Sequence, residues 1–316
     1  MFAVIGSTSV DVMIDSPEGL PKVDGDEFTS ANLVFTDEPL RFSPGGNACI
    51  SAYVLAALGA EAALCSAVGT DVPGSMLIEW LEEVGVDLTS LKQVPSEATS
   101  TTTIISAGES RLSFHHPGAL RTYRRGDLAA ELPDAAEVLL VCSYPLLRTW
   151  RPEGYADVLR ASARAGVMTA LDIGPAVGAP VLLAELADTL PHVDYFLCNR
   201  LELERFTGTH DLADGMLRVA RAGAACVVTK LGPCGAAVLA EGARKPEILP
   251  AVAVEARGTV GAGDSFNAGF LYARRAGRSL RESVRFGTAT ASLVVASPLG
   301  VRVRPSVEEV ERILRT

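Results

Sequence analysis

The residues best suited to chemistry form one run, Arg257-Gly258-Thr259-Val260-Gly261-Ala262-Gly263-Asp264, which passes into Ser265-Phe266-Asn267-Ala268-Gly269-Phe270. Small residues come first, an acid follows, and apolar residues then recur at helical spacing (Phe266, Phe270, Leu271, Ala273). A Gly261-Ala262-Gly263 turn has little side chain to cover its amides, so the start of such a helix can face an anion. The helix dipole adds positive character at the same place. A carboxylate beside that cradle could accept the proton of a hydroxyl attacking a phosphoryl group. A tight turn with Asp264 as a plain helix N-cap fits the same run.

The elements that must position this run alternate. Short apolar stretches at Phe2–Ile5, Ala63–Val68, Val138–Cys142, Val167–Leu171, Tyr195–Cys198 and Cys226–Thr229 read as buried strands. Helical patterns such as Ala48–Leu58 and Pro73–Val84 lie between them, with Gly59 and Gly85 where a left-handed C-terminal residue is expected. The alternation predicts an α/β fold, a mostly parallel central sheet with helices on both faces. Two segments break the rhythm. Residues 12–43 hold extended pieces, Glu27–Thr29 and Asn32–Phe35. Residues 98–116 hold Ser100–Ile105 and Arg111–His115 around a turn, and the run Thr101–Ile105 suits a sheet. They fit either a small separate β-layer or two surface hairpins. Ser279-x-x-Glu282 and Ser306-x-x-Glu309 have the form of capping boxes. No linker divides the chain, so one domain over 1–316 is expected.

Composition excludes several classes. With 38 acidic against 28 basic residues the formal charge is −10, which argues against nucleic-acid and anionic-membrane partners. No apolar run reaches the roughly 18 residues of a membrane span. The six cysteines include no Cys-x-x-Cys pair and read as free thiols in a reducing compartment, so a cytoplasmic location is expected. No Gly-x-Gly-x-x-Gly follows the first strand, which counts against a dehydrogenase.

In order along the chain, Gly6-Ser7-Thr8-Ser9-Val10-Asp11, Pro44-Gly45-Gly46-Asn47-Ala48, Val68-Gly69-Thr70-Asp71-Val72-Pro73-Gly74, Asn199-Arg200-Leu201-Glu202, Val228-Thr229-Lys230-Leu231-Gly232-Pro233-Cys234-Gly235 and Gly261–Asp264 resemble motifs of the ribokinase family, the PfkB-type carbohydrate kinases. The resemblance covers nearly the whole chain. It implies a ribokinase-like fold in which 12–43 and 98–116 form a β-sheet lid over the acceptor. It implies ATP and Mg²⁺, with transfer of the γ-phosphate to a hydroxyl of a small sugar or sugar-like substrate. Asp264 would be the base, and Gly261, Ala262 and Gly263 the anion hole. Asp11, Gly45, Gly46 and Asn47 would bind the acceptor. Asn199, Glu202, Thr229, Lys230, Gly232 and Gly235 would serve the nucleotide, Glu202 reaching Mg²⁺ through water. A homodimer through the lid is implied as well.

Two departures narrow this. Gly258 has no side chain to replace the acid that many members place there beside a monovalent cation, so K⁺ activation is in doubt. Ile50 stands where many sugar kinases have Asn. Two alternatives stay open: a nucleoside kinase, with Phe35, Phe42, Tyr53 or Phe114 stacking a base, and a non-catalytic ligand-binding member. His115 and His116, at the exit of the second lid segment, fit either a plain structural role or an anchoring or acceptor-edge one.

Overall fold

The computed structural model describes residues 1–15, 33, 35–107, 110–129, 132–175, 177 and 181–315. Along the chain run β1 (Phe2–Ile5), β2 (Ser9–Asp15), β3 (Arg41–Gly45), α1 (Asn47–Ala57), β4 (Ala62–Val68), α2 (Val72–Glu82), β5 (Leu91–Gln93), β6 (Thr101–Ala107) and β7 (Ser110–His116). There follow α3 (Leu132–Ala135), β8 (Val138–Val141), α4 (Glu153–Arg164), β9 (Met168–Asp172), β10 (Tyr195–Asn199), α5 (Arg200–Thr207), α6 (Leu212–Arg221) and β11 (Cys226–Lys230). The last are β12 (Ala236–Leu239), β13 (Glu247–Leu249), α7 (Ala262–Arg275), α8 (Leu280–Ala296) and α9 (Val307–Leu314).

Nine strands form the main sheet in the order β13-β12-β11-β10-β9-β8-β1-β4-β5. From β11 across to β5 every pairing is parallel; β12 and β13 close the other edge antiparallel. The near-continuous apolar strands are what a sheet buried on both faces requires. Successive residues divide between two cores with a period of two. Phe2, Val4, Leu140, Leu197 and Val228 pack into one, with residues of α1, α2, α7, α8 and α9. Ala3, Ile5, Leu139, Phe196 and Val227 pack into the other, with residues of α4, α5 and α6. Helices therefore cover both faces, as expected.

Helix α1 is apolar on every side, and Ala48 to Ala56 are all buried, because it lies between the sheet and α7. The glycines after α1 and α2 take the expected left-handed conformation, and both C-terminal capping boxes form.

A second sheet has the order β3-β2-β6-β7, with β2 antiparallel to β3 and parallel to β6. The two irregular segments thus pair with one another as a separate β-layer. That layer begins at Ser9, ahead of the expected segment 12–43, and runs past its end to take in Pro44 and Gly45. The extended piece expected over Glu27–Thr29 lies outside the described residues, as do Asn32 and Val34 of the next. All six cysteines are free, five buried and Cys234 exposed. Among the described residues no helix is long and apolar enough to cross a membrane.

Candidate active site

Five adjacent parallel strands, β11, β10, β9, β8 and β1, end side by side, and each delivers a polar residue at or just past its C-terminal end. These are Lys230, Asn199, Asp172, Ser143 and Ser7. This is the edge of an open α/β sheet at which ligands are expected, and β1 sits where the chain order reverses. A cleft of about 1070 Å³ lies there, bounded by these strand ends, the second sheet and the start of α7.

Gly261 caps α7 in a left-handed conformation, φ 77°. A Cβ at Gly261 would strike the Val301 side chain at 2.5 Å, so both the backbone angle and the close approach require glycine. Asp264 is consequently the third residue of the helix and not its cap. Its carboxylate lines the cleft beside the first-turn amides of α7, which have no partners within the helix. Asn47 Nδ2 donates to Asp264 Oδ1 at 2.8 Å. Burial, with the charge of Asp172 added, pushes the Asp264 carboxyl up to about 7, against the pull of the Asn47 bond and of Lys230.

Lys230 Nζ bonds Asp172 Oδ2 at 2.7 Å and Asn267 Oδ1 at 3.1 Å, and Asn267 Nδ2 donates to the same Asp172 oxygen at 2.5 Å. Asn267 stands three residues after Asp264, so one face of α7 carries both. Burial disfavours the Lys230 charge, but Asp172 and Glu202 outweigh it and hold the ammonium well above its usual range. Glu202 and Asn199 form a reciprocal capping box, Asn199 Oδ1 accepting from the Glu202 amide at 2.9 Å and Glu202 Oε2 from the Asn199 amide at 2.7 Å. Glu202 is nevertheless buried and faces the cleft, and its carboxyl is raised by burial and by Asp172. Asp172, Glu202 and Asp264 thus share one lysine.

At the opposite end Asp11 projects from β2 beneath the second sheet, buried, with Ser9 Oγ donating to its Oδ1 at 3.0 Å. A side chain at Gly45 would collide with that carboxylate, and one at Gly46 (φ 86°) with the Ser7 carbonyl, 2.5 Å away. Thr102, Ile104, Ser113 and His115 of β6 and β7 complete this end, with His115 Nδ1 held to Thr102 Oγ1 at 3.1 Å. The far end is apolar, lined by Val252, Val254, Val260, Ala291 and Val295 beside Gly232 and Gly235.

Most of the residues singled out in the sequence therefore meet around one cleft. Asp11, Gly46, Asn47, Asn199, Glu202, Lys230, Gly232, Gly235 and Gly261 to Asp264 all line it, and Gly45 backs Asp11. Thr229 does not join them. It points to the other face of β11, buried, with its hydroxyl 3.5 Å from the Cys198 thiol. None of the four aromatic residues considered for base stacking lines the cleft: Tyr53 is buried in the core with its hydroxyl on Arg304, and Phe35, Phe42 and Phe114 are exposed elsewhere. Sequence reasoning missed Asp172, Asn267 and Ser143. An acid closing an apolar strand was a readable signal for Asp172, and the i+3 spacing from Asp264 for Asn267. Ser143 left no such signal.

Residues 1–305 match the model of the pfkB family of carbohydrate kinases. A nucleoside kinase of Methanothermobacter thermautotrophicus is 28% identical over 85% of this chain and 84% of its own length. A ribokinase of Haemophilus influenzae is 28% identical over 92% and 91%. The fold matches that of Arabidopsis thaliana ribokinase complexed with ribose and ATP, with a TM-score of 0.84 at 23% identity, over 100% of this chain and 98% of that one.

Proposed function

The chain belongs to the pfkB family of carbohydrate kinases and is a phosphotransferase with an alcohol group as acceptor, and from that premise we propose that it transfers the γ-phosphate of ATP to a hydroxyl of a small neutral sugar, with Asp264 as general base. The observation that carries this reading is the Asp264 carboxylate, buried in the cleft in the first turn of α7 and raised to about 7, where a base works best near neutral pH.

The Asp11 end of the cleft, with Ser9, Thr102 and Ser113, offers acceptors and hydroxyls suited to a polyol. The apolar end beside Gly232 and Gly235 suits an adenine ring, and the cleft is large enough for both substrates at once. Asp264 takes the acceptor proton as the new O–P bond forms. The bond from the γ-phosphorus to the bridging oxygen breaks, and ADP leaves with the electron pair. The amides of Gly261 to Gly263 and the dipole of α7 stabilise the charge spread over the transferring phosphoryl oxygens. Lys230, 3.5 Å from where a Cβ on Gly263 would stand, adds a cation at the same place. Glu202 and Asn199 would hold Mg²⁺ through water, and the metal supplies charge neutralisation along the phosphates.

The second sheet would act as a lid that keeps water from the phosphoryl group. A nucleoside acceptor is the second reading, favoured by the similarity to a nucleoside kinase. An ATP-consumption screen over neutral sugars, nucleosides and keto-deoxy sugar acids, with and without K⁺, decides between them. Turnover with a neutral sugar and no response to K⁺ is expected. Turnover confined to nucleosides or to sugar acids would overturn the sugar assignment.

A further inference from the structure

Ser143 follows β8 and is fully buried, yet its φ is 62°, a left-handed conformation that costs a non-glycine residue about 1–3 kcal/mol unless its surroundings enforce it. Glycine would adopt that backbone without strain, so the hydroxyl is the feature to account for. Ser143 Oγ accepts from the Ser7 amide at 3.1 Å, lies 2.7 Å from Ser7 Oγ, and donates to Asn47 Oδ1 at 3.0 Å. Ser7 Oγ in turn accepts from the Asn47 amide at 3.1 Å.

Every proton in this ring has one consistent place. An ionised Asp264 only accepts, so the Asn47 atom facing it is Nδ2. Asn47 Oδ1 then faces Ser143, whose hydroxyl must donate to it. Ser7 Oγ, accepting from the Asn47 amide, donates to Ser143. Among the described residues the Ser143 hydroxyl is the donor that holds Asn47 Oδ1, so without it the amide loses that restraint against turning its oxygen towards the carboxylate. We propose that Ser143, backed by Ser7, is a positioning residue for the transfer reaction: it fixes the orientation of the Asn47 amide and through it the ionised, oriented state of Asp264.

This rests on the base role of Asp264. The other groups whose charge bears on Asp264 are Asp172 of β9, Glu202 of α5 and Lys230 of β11. The thiols of Cys49 and Cys142, raised by burial, stay protonated. None of these bonds Ser143.

The test uses Ser143→Gly, which suits the backbone, beside Ser143→Ala and Asp264→Asn. Turnover is measured against pH at saturating ATP and acceptor. Ser143→Gly is expected to lower kcat about ten- to a hundredfold. Its acidic limb should move about one unit towards higher pH, because a carboxylate that loses a donor holds its proton more tightly. KM for ATP should stay within about twofold. A folded Ser143→Gly enzyme with the wild-type kcat, or with lowered kcat on an unmoved limb, overturns the positioning role. If Asp264→Asn keeps the wild-type rate, the base reading itself fails. If Asp264→Asn is inactive while Ser143→Gly matches wild type, only the positioning role fails.

Discussion

At the scale of residues, the candidate site crowds three buried carboxylates around one lysine. Burial and the charge of Asp172 raise both Asp264 and Glu202; Lys230 limits both rises, helped by Asn47 at Asp264 and by Asn199 at Glu202. The consequence for stability has a definite sign. A carboxyl whose folded pKa lies above its unfolded value near 3.8 stabilises the fold below about pH 4. That contribution is lost as pH rises through about 7. Asp264→Asn is therefore expected to raise the melting temperature at pH 8, by the equivalent of about 1–3 kcal/mol, with little change near pH 4. Thermal unfolding of both proteins at the two pH values checks this. An equal shift at both would remove the titration of Asp264 as the cause. Lys230→Met leaves Asp172, Glu202 and Asp264 without their shared cation. It should raise KM for ATP about tenfold or more and move the acidic limb of kcat upward; an unchanged pair of values would separate Lys230 from both tasks.

At the scale of elements, parallel strand ends place the polar residues, and two glycine-capped helices bring Asn47 and Asp264 together. Gly46 enters α1 at φ 86° and Gly261 enters α7 at φ 77°. Gly261→Ala meets both the left-handed angle and the Val301 side chain, so it should cost about 1–3 kcal/mol. It should also weaken binding of a non-hydrolysable ATP analogue; tight binding with a lowered melting temperature alone would mean that the helix start is not part of the phosphate cradle. This scale was the most legible in the sequence. Apolar runs gave β1, β4, β8, β9, β10 and β11 to within a residue or so, because strands buried on both faces have little compositional freedom. Short edge strands such as β5 and β13 escaped, since three half-exposed residues carry no periodic signal. The site was legible where small residues mark backbone approach, at Gly45, Gly46 and Gly261 to Gly263. It was harder to read where a side chain is recruited from the far side of the chain order, and at Ser143 nothing marked it. Asp172, Asn267 and Ser143 meet residues 58, 95 and 96 positions away, and Thr229 turned away because alternate residues of a strand face opposite sides.

At the scale of the whole molecule, the second sheet presents two unlike faces. Asp11, Thr102, Ile104 and His115 look into the cleft. The register sets Phe42, Val12, Thr103 and Phe114 in a row on the opposite face, with Phe42 45% and Phe114 60% exposed. A largely apolar row on an open sheet is a natural surface for a second copy of the chain, and a homodimer through the lid, which the sequence resemblance implies, would use it. Phe114→Glu should convert a dimer to a monomer in light scattering, and a wild-type chain that is monomeric at micromolar concentration would contradict that assembly.

The most direct measurement is the single-turnover rate of Asp264→Asn with ATP and the best neutral sugar found in the screen, set beside its affinity for ATP. The side chains have nearly the same shape, so binding of ATP should stay within a fewfold. The rate should fall about 10²- to 10⁴-fold, since an amide cannot take the acceptor proton. A variant that binds ATP and transfers phosphate at the wild-type rate would contradict Asp264 as the base.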